Sequence, residues 1–177
     1  DGAGGAWVTA STLQLYPTPR VRLWHVGAGG ALASGWPDSG LALGDATTPK
    51  DAFVAPDGAG GVLVGWSALV QYQFDHTSNN LYTLDVVRLV RVSASGALAP
   101  GWSAAGNVVY APAPTGTLSQ RVAPTLIAAD GTGGAWVVHA DSSDGSPESR
   151  LFRVTATGTL APGFPADGAP LGSPGTN

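Results

Sequence analysis

The feature that most constrains the fold is a motif that occurs three times, Asp-Gly-x-Gly-Gly followed by a short apolar run. The three copies begin at Asp1, Asp57 and Asp130. After each copy the chain contains Arg-Leu-x-x-Val and then Gly-x-Leu-Ala-x-Gly-aromatic, always in that order. Ordered self-similarity over units of this size indicates a repeat architecture.

The spacing within the units separates fixed parts from variable ones. The arginine and the aromatic residue are always 14 positions apart, in the pairs Arg22 and Trp36, Arg88 and Trp102, and Arg150 and Phe164. The copies of the Asp-Gly motif are 56 and then 73 residues apart. The added length lies before the second arginine and before Asp130, so each unit has two variable loops. We divide the chain into repeats 1–48, 49–121 and 122–177 of one propeller-like domain.

Each unit is predicted to contain four short antiparallel strands. The first is expected at 51–55 in the second unit, and the Asp-Gly motif then supplies the positive φ that a tight hairpin needs. The second strand follows the glycines, as at 135–140, and the third carries the arginine. A turn such as 93–96 leads to a fourth strand, predicted from about Ala97 through the Gly-Trp.

Four strands per unit with a glycine and aromatic signature predict an all-β fold of β-propeller blades. The chain supplies about three blades, and the first strand of the first blade is missing. Three blades are fewer than a propeller usually needs to close, so we expect further blades from the same longer chain or from other copies. A parallel β-helix and a tandem of small β-sandwiches are the alternative folds.

Composition excludes several functions. Eight Lys and Arg against 12 acids, with no basic run, argue against nucleic-acid binding. No run approaches 18 apolar residues, so membrane insertion is not expected. The absence of Cys removes disulfides, thiolate catalysis and Cys-based zinc sites.

The combined motifs resemble repeat arrays of large exported bacterial surface proteins. That resemblance implies propeller blades and an extracellular or cell-surface location, and it spans essentially the whole chain. The Asp-Gly-x-Gly-Gly-Ala-Trp turn is also similar to the Asp-box hairpin of sialidase-type propellers. Ala128 stands where that box has Ser, and Leu63 replaces the Trp in the second unit. The similarity therefore concerns hairpin structure and carries no catalytic residue.

Residues at repeat positions are interpreted as structural. The three aspartates are expected to cap their own turns, because an Asp side chain bonds nearby backbone amides. The three arginines are expected either to pack over an aromatic ring or to pair with a turn aspartate. Trp7, Trp36, Trp102 and Trp136 are expected in the core, and Phe164 stands at the repeat position of Trp36 and Trp102.

Residues outside the repeat are the better candidates for binding, since loops on a rigid scaffold commonly carry recognition. The second unit offers aromatic, amide and acidic side chains that suit a glycan or a peptide: Tyr72, Phe74, Asp75, His76, Asn79, Asn80 and Tyr82. In the third unit Asp141, Asp144 and Glu148 resemble a loose calcium loop, which makes calcium the one candidate cofactor.

No residue is assigned a catalytic role. His25, His76 and His139 lie in unrelated contexts, and no nucleophile elbow or HExxH motif is present. The leading hypothesis is a non-enzymatic exported bacterial surface scaffold or adhesion module that recognises glycan or protein. The alternatives are a carbohydrate-active propeller hydrolase or lyase, and a structural subunit that assembles through open strand edges into a ring or filament.

Overall fold

A computed structural model describes residues 1–12, 20–45, 47–75, 80–112, 119–120, 122–141 and 148–172. Within these ranges the regular structure is all strand, with no helix. This agrees with the predicted all-β class. Abundant glycine, proline and β-branched residues, with little Glu, Lys or Met, favour strands and turns over helices.

Twelve strands are formed by the described residues. They are β1 (Ala6–Thr12), β2 (Arg20–Val26), β3 (Leu41–Leu43), β4 (Thr48–Pro56), β5 (Val62–Asp75), β6 (Asn80–Val92), β7 (Asn107–Tyr110), β8 (Ser119–Gln120), β9 (Val122–Ala129), β10 (Ala135–Asp141), β11 (Glu148–Val154) and β12 (Ala169–Pro170).

The strands form three antiparallel sheets, one for each repeat. The first sheet has the order β1-β2-β3, the middle sheet β4-β5-β6-β7, and the third sheet β12-β11-β10-β9. Strand β8 adds to the middle sheet by pairing in parallel with β6. Successive strands pair with their neighbours in sequence, as expected for hairpins joined by tight turns.

The fourth strand of each unit lies later in the sequence than predicted. The segment from about Ala97 through the Gly-Trp makes only an isolated bridge, between Leu98 and Val92. Two turns follow, closed by the Trp102 amide on Ala99 and the Gly106 amide on Ser103. Pairing resumes only at β7. Pro100 has no backbone N–H to donate to a ladder, so this segment is poorly suited to a strand.

The three sheets pack face to face in chain order. Strand β4 contacts β1 and β2, and β9 contacts β4, β5 and β6. On the middle sheet Val64 and Trp66 are fully buried on one face, while Leu63 and Leu89 are fully buried on the other. A sheet buried on both faces needs apolar residues in consecutive positions, which the run from Val62 to Val64 supplies. Each such side chain contributes about 2 kcal/mol on burial.

A tryptophan links each of the first two units to the next one. The indole Nε1 of Trp36 donates to the Ala94 carbonyl at 3.0 Å, and that of Trp102 donates to the Ala156 carbonyl at 2.8 Å. Gly96 and Gly158 lie against the two rings and have φ of 83° and 78°. The Gly-aromatic motif is thus a contact between units, placed where a side chain on the turn would obstruct the ring.

Candidate binding surface

The hairpin of β5 and β6 is the one that departs most from its counterparts. These strands contain 14 and 13 residues, whereas β10 and β11 contain 7 each. Aligned at the Asp-Gly and arginine motifs, the strands of the second unit have added residues at 69–75 and 80–85, which we call the arm. Seven extended residues span about 20 Å. The arm therefore projects well beyond the length of the other hairpins.

Five of the seven predicted binding residues lie on the backbone of the arm. Asp75 is paired with Asn80, and Tyr82 with Gln73. Phe74 is paired with Leu81, and Tyr72 lies at the register shift between Gln71 and Gln73. His76 and Asn79 lie outside the described residues. The antiparallel register thus brings residues from both strands to one end of the hairpin.

The second variable segment of this unit also reaches the arm. Strand β8 belongs to the stretch between Gly106 and Asp130, which is longer than its counterpart in the first unit. Ser119 pairs with Thr83, and Gln120 with Leu84. The two longest departures from the repeat therefore meet at one edge of the middle sheet, and the base of the arm, with Leu84 and Asp85 buried, is part of the core.

An ion pair anchors the base of the arm. Lys50 Nζ lies 2.9 Å from Asp85 Oδ1 and 3.3 Å from Oδ2, and Asp85 is only 3% exposed. The lysine comes from β4, at a register shift where Asp51 adopts a φ of 42°. Ser67 pairs directly with Lys50 in the sheet, and its buried Oγ has no hydrogen-bond partner. The sequence did not reveal this pair, because its two residues are 35 positions apart and do not recur.

The Asp-Gly turns are held by their own aspartates. Asp57 Oδ1 accepts from the amides of Ala59 and Gly61 at 2.7 and 2.8 Å. Asp1 and Asp130 accept from the corresponding amides at 2.8 to 2.9 Å. Two amides that would otherwise lack partners are thus satisfied by one carboxylate oxygen.

The other carboxylate oxygen of each turn binds a basic residue. Asp57 Oδ2 pairs with Arg91, Asp130 with Arg153, and Asp1 with His25. Burial by itself raises the pKa of the Asp130 carboxyl, but hydrogen bonds from Thr132, Arg153 and Gly134 outweigh it and lower that pKa to about 2. The pKa of Asp57 is lowered in the same way, by Ala59, Arg91 and Gly61 against the effect of burial.

The repeated arginines hold a different loop. Arg22, Arg88 and Arg150 donate to backbone carbonyls just before or at the start of the fourth strand, those of Gly40, Gly106 and Asp167. Arg88 also pairs with Asp45 of the first unit at 2.9 Å. The partner of each turn aspartate is instead the residue three positions later. That position is His25, Arg91 or Arg153. The recurrence of a basic residue there could have predicted the partner of the turn aspartate from the sequence.

The predicted calcium residues are only partly within the described chain. Asp141 and Glu148 form the last backbone pair of the β10 and β11 hairpin, and Asp144 lies outside the described residues. The Glu148 carboxylate accepts from the Arg150 guanidinium at 2.6 and 3.1 Å. Among the described residues no group of three His, Cys, Asp or Glu side chains could hold a metal ion.

The two described histidines lie in separate aromatic stacks. His25 is 4.0 Å from the Trp7 ring and contacts Trp36 edge-on at 5.9 Å, measured between ring centroids. His139 is fully buried, stacked 4.6 Å from Tyr110 and 5.1 Å from Phe152. His76 lies in the part of the chain that is not described. His139 therefore contributes to packing between the third sheet and Tyr110 of the middle sheet, whereas His25 packs against aromatic rings of the first unit.

A pocket of about 290 Å³ lies beside the second Asp-Gly turn. Its lining includes Asp57, Arg91, Ser93, Leu98 and Pro100. The two charged residues are already paired with each other across 2.8 Å. This pocket lies at the start of β5, whereas the arm is at the end of that strand.

Comparisons with known proteins returned no match to any family model, any curated protein or any solved structure. A search of the described residues for a helix long and apolar enough to cross a membrane also found none.

Proposed function

We propose that the chain is part of an exported bacterial β-propeller that acts as a non-enzymatic surface scaffold and binds glycan or protein through the arm. The observation that best supports this proposal is the contrast between the repeated contacts and the arm. The Asp-Gly turn and the arginine contact recur in all three units. The largest departure from them is concentrated in one projecting hairpin and the strand beside it.

The blade arrangement in this proposal is supported by the packing of successive sheets. Each sheet follows the previous one face to face, and the same indole-to-turn contact joins both pairs of neighbours. A repeated rotation between equivalent sheets is the geometry of a propeller.

A binding role agrees with the state of the carboxylates. Asp45, Asp57, Asp85, Asp130 and Glu148 each form an ion pair with a Lys or Arg side chain, and Asp1 Oδ2 lies 2.9 Å from His25 Nε2. Hydrolysis of a glycoside uses two carboxyl groups that face the substrate. Carboxylates engaged in turns and strand anchors are suited to holding a scaffold instead.

The experiment is a binding screen of the 177-residue chain on arrays of oligosaccharides and of immobilised extracellular-matrix and bacterial surface proteins. The test variant replaces Tyr72, Phe74 and Tyr82 with alanine. Aromatic anchors are often worth 2 kcal/mol or more, so we expect a loss of at least about 30-fold in affinity for the ligand found. The matched control is Val108→Ala, which alters an exposed residue of the same sheet away from the arm.

Equal affinity of the triple variant and the parent chain would contradict the role of the arm. Hydrolysis of an arrayed oligosaccharide, detected by mass spectrometry, would contradict the non-enzymatic assignment.

A further inference from the structure

Two open sheet faces lie at opposite ends of the stack. On the third sheet, Ile127 lies against Gly65 of the middle sheet, so its neighbour Leu126 points the other way. Val138 pairs with Leu126 and Leu151 pairs with Val138, which places all three on that outer face. We call it the leading face. Leu126 is 59% exposed.

The opposite face belongs to the first sheet. Val21 and Leu23 are fully buried, so their side of the sheet faces the middle sheet. Val8 and Trp24 pair with each other on the other side, which we call the trailing face. Val8 is 44% exposed.

Two of the equivalent positions in the middle sheet are covered. Leu151 corresponds to Leu89, and Val8 corresponds to Val64, both fully buried, whereas Phe53, which corresponds to Leu126, is 38% exposed. Leu89 and Val64 are buried because one sheet packs on the next. The open faces therefore keep the apolar residues of an interface that already occurs twice within the chain.

The turns also show that a contact present between units within the chain is missing at its two ends. Gly96 and Gly158 lie against the rings of Trp36 and Trp102. Gly30 has the same place in the first unit and a φ of 79°, yet no described atom lies within 4 Å of the position a side chain would occupy there. Phe164 has the place of those tryptophans in the third unit and is only half-buried.

We propose that the leading face of one chain packs on the trailing face of a second copy, with Phe164 over the 27–30 turn. The interaction continues the established sheet-to-sheet interface across two molecules. Because the two faces differ, the association is heterologous, and repetition gives a ring if the rotation closes and a filament if it does not. It is independent of what the arm binds.

The test measures the mass of the chain in solution by light scattering over a range of concentrations. We expect the parent chain to associate beyond its monomer mass of 17.7 kDa. Val8→Asp on the trailing face and Leu151→Asp on the leading face should each be monomeric, because a charge would be buried without a partner. Val108→Asp, an exposed valine of the middle sheet on neither face, should associate like the parent.

An equimolar mixture of the two monomeric variants gives the decisive result. Each retains one intact face, so the mixture should form a 1:1 dimer that grows no further. Circular dichroism and the dimer itself establish that the variants are folded. If Leu151→Asp fails to fold, Phe164→Ala, outside the strands, takes its place.

A parent chain that is monomeric at its highest soluble concentration would overturn the proposal and leave the face to another unit or partner. Association unchanged in both variants, or a mixture that stays monomeric, would overturn it equally.

Discussion

At the scale of the residue, one aspartate in each unit accepts hydrogen bonds from several groups at once. Asp130 accepts from two turn amides through Oδ1 and binds Thr132 and Arg153 through Oδ2. Burial of the carboxylate opposes its ionisation, but the hydrogen bonds that it accepts stabilise the charged form by more than burial costs. The Asp-Gly motif recurs because a single side chain both closes the turn and fixes the neighbouring strand through a basic residue.

Stability should fall in acid through the turn aspartates. The folded-state pKa of Asp130 is about 2, below the usual Asp value of about 3.9. Its contribution is therefore complete above about pH 4 and is lost as the pH falls towards 2. Urea unfolding at pH 7 and at pH 3 should show that the free energy of unfolding decreases more for the parent chain than for Asp130→Asn.

The asparagine keeps an oxygen for the Thr132 and Gly134 amides, so it separates the charge from the turn contacts. Asp167→Asn, at an exposed position, is the control and should keep the pH dependence of the parent. If the stability of Asp130→Asn and of the parent chain depended on pH in the same way, Asp130 would not contribute to the loss of stability in acid.

At the scale of the element, the turns and the arm respond to different physical demands. A turn in contact with a neighbouring unit needs a residue that tolerates a positive φ and has no side chain, because the neighbour occupies the space above the backbone. Gly158 meets both conditions, with a φ of 78° and with Asn107 and Trp102 of the preceding unit close by. The arm needs a firm base, which Lys50 and Asp85 supply.

Gly158→Ala and Gly163→Ala form a matched pair for the turns. Their φ values are 78° and 82°, so each alanine should cost about 1 kcal/mol from backbone strain. At Gly158 the new Cβ would also overlap Asn107 Nδ2, whereas nothing lies within 4 Å at Gly163. The free energy of unfolding should fall by at least about 1 kcal/mol more for Gly158→Ala. Equal losses would mean that the contact between units tolerates a side chain.

Lys50→Met should destabilise the base of the arm by about 2 kcal/mol. It leaves the Asp85 carboxylate buried without its partner, and the partial exposure of Lys50 reduces the usual cost of such a loss. The double variant Lys50→Met with Asp85→Leu should recover most of the stability, because no buried charge remains. Denaturant unfolding measures the cycle, and hydrogen exchange of residues 80–85 locates the effect. Additive losses in the double variant would contradict the coupling.

The sequence predicted the elements that recur more accurately than those that do not. The first three strands of a unit follow from apolar runs between glycine turns, and β4 and β10 contain the segments 51–55 and 135–140 where strands were predicted. The predicted position of the fourth strand was wrong, because the strand begins only after the Gly-aromatic segment. The position of that segment depends on its contact with the next sheet rather than on local backbone preference. The Lys50 and Asp85 pair was missed for the same reason, since only the folded register brings the two residues together.

At the scale of the whole molecule, one interface is used repeatedly. The first sheet packs on the middle sheet as the middle sheet packs on the third, and a tryptophan of each of the first two units donates to the turn of the next unit. A chain built this way is extended by adding units rather than by enlarging one core. The arm extends beyond the other hairpins, although its base, with Leu84 and Asp85 buried, still belongs to the core.

The most direct test of the propeller arrangement is a set of three distances between the Asp-Gly turns. The chain has no cysteine, so spin labels can be attached to pairs of cysteines introduced at the equivalent exposed positions Ala3, Ala59 and Thr132. Blades arranged around an axis should give similar 3–59 and 59–132 distances and a 3–132 distance clearly shorter than their sum. A 3–132 distance equal to that sum would show a straight stack of sheets and contradict the propeller.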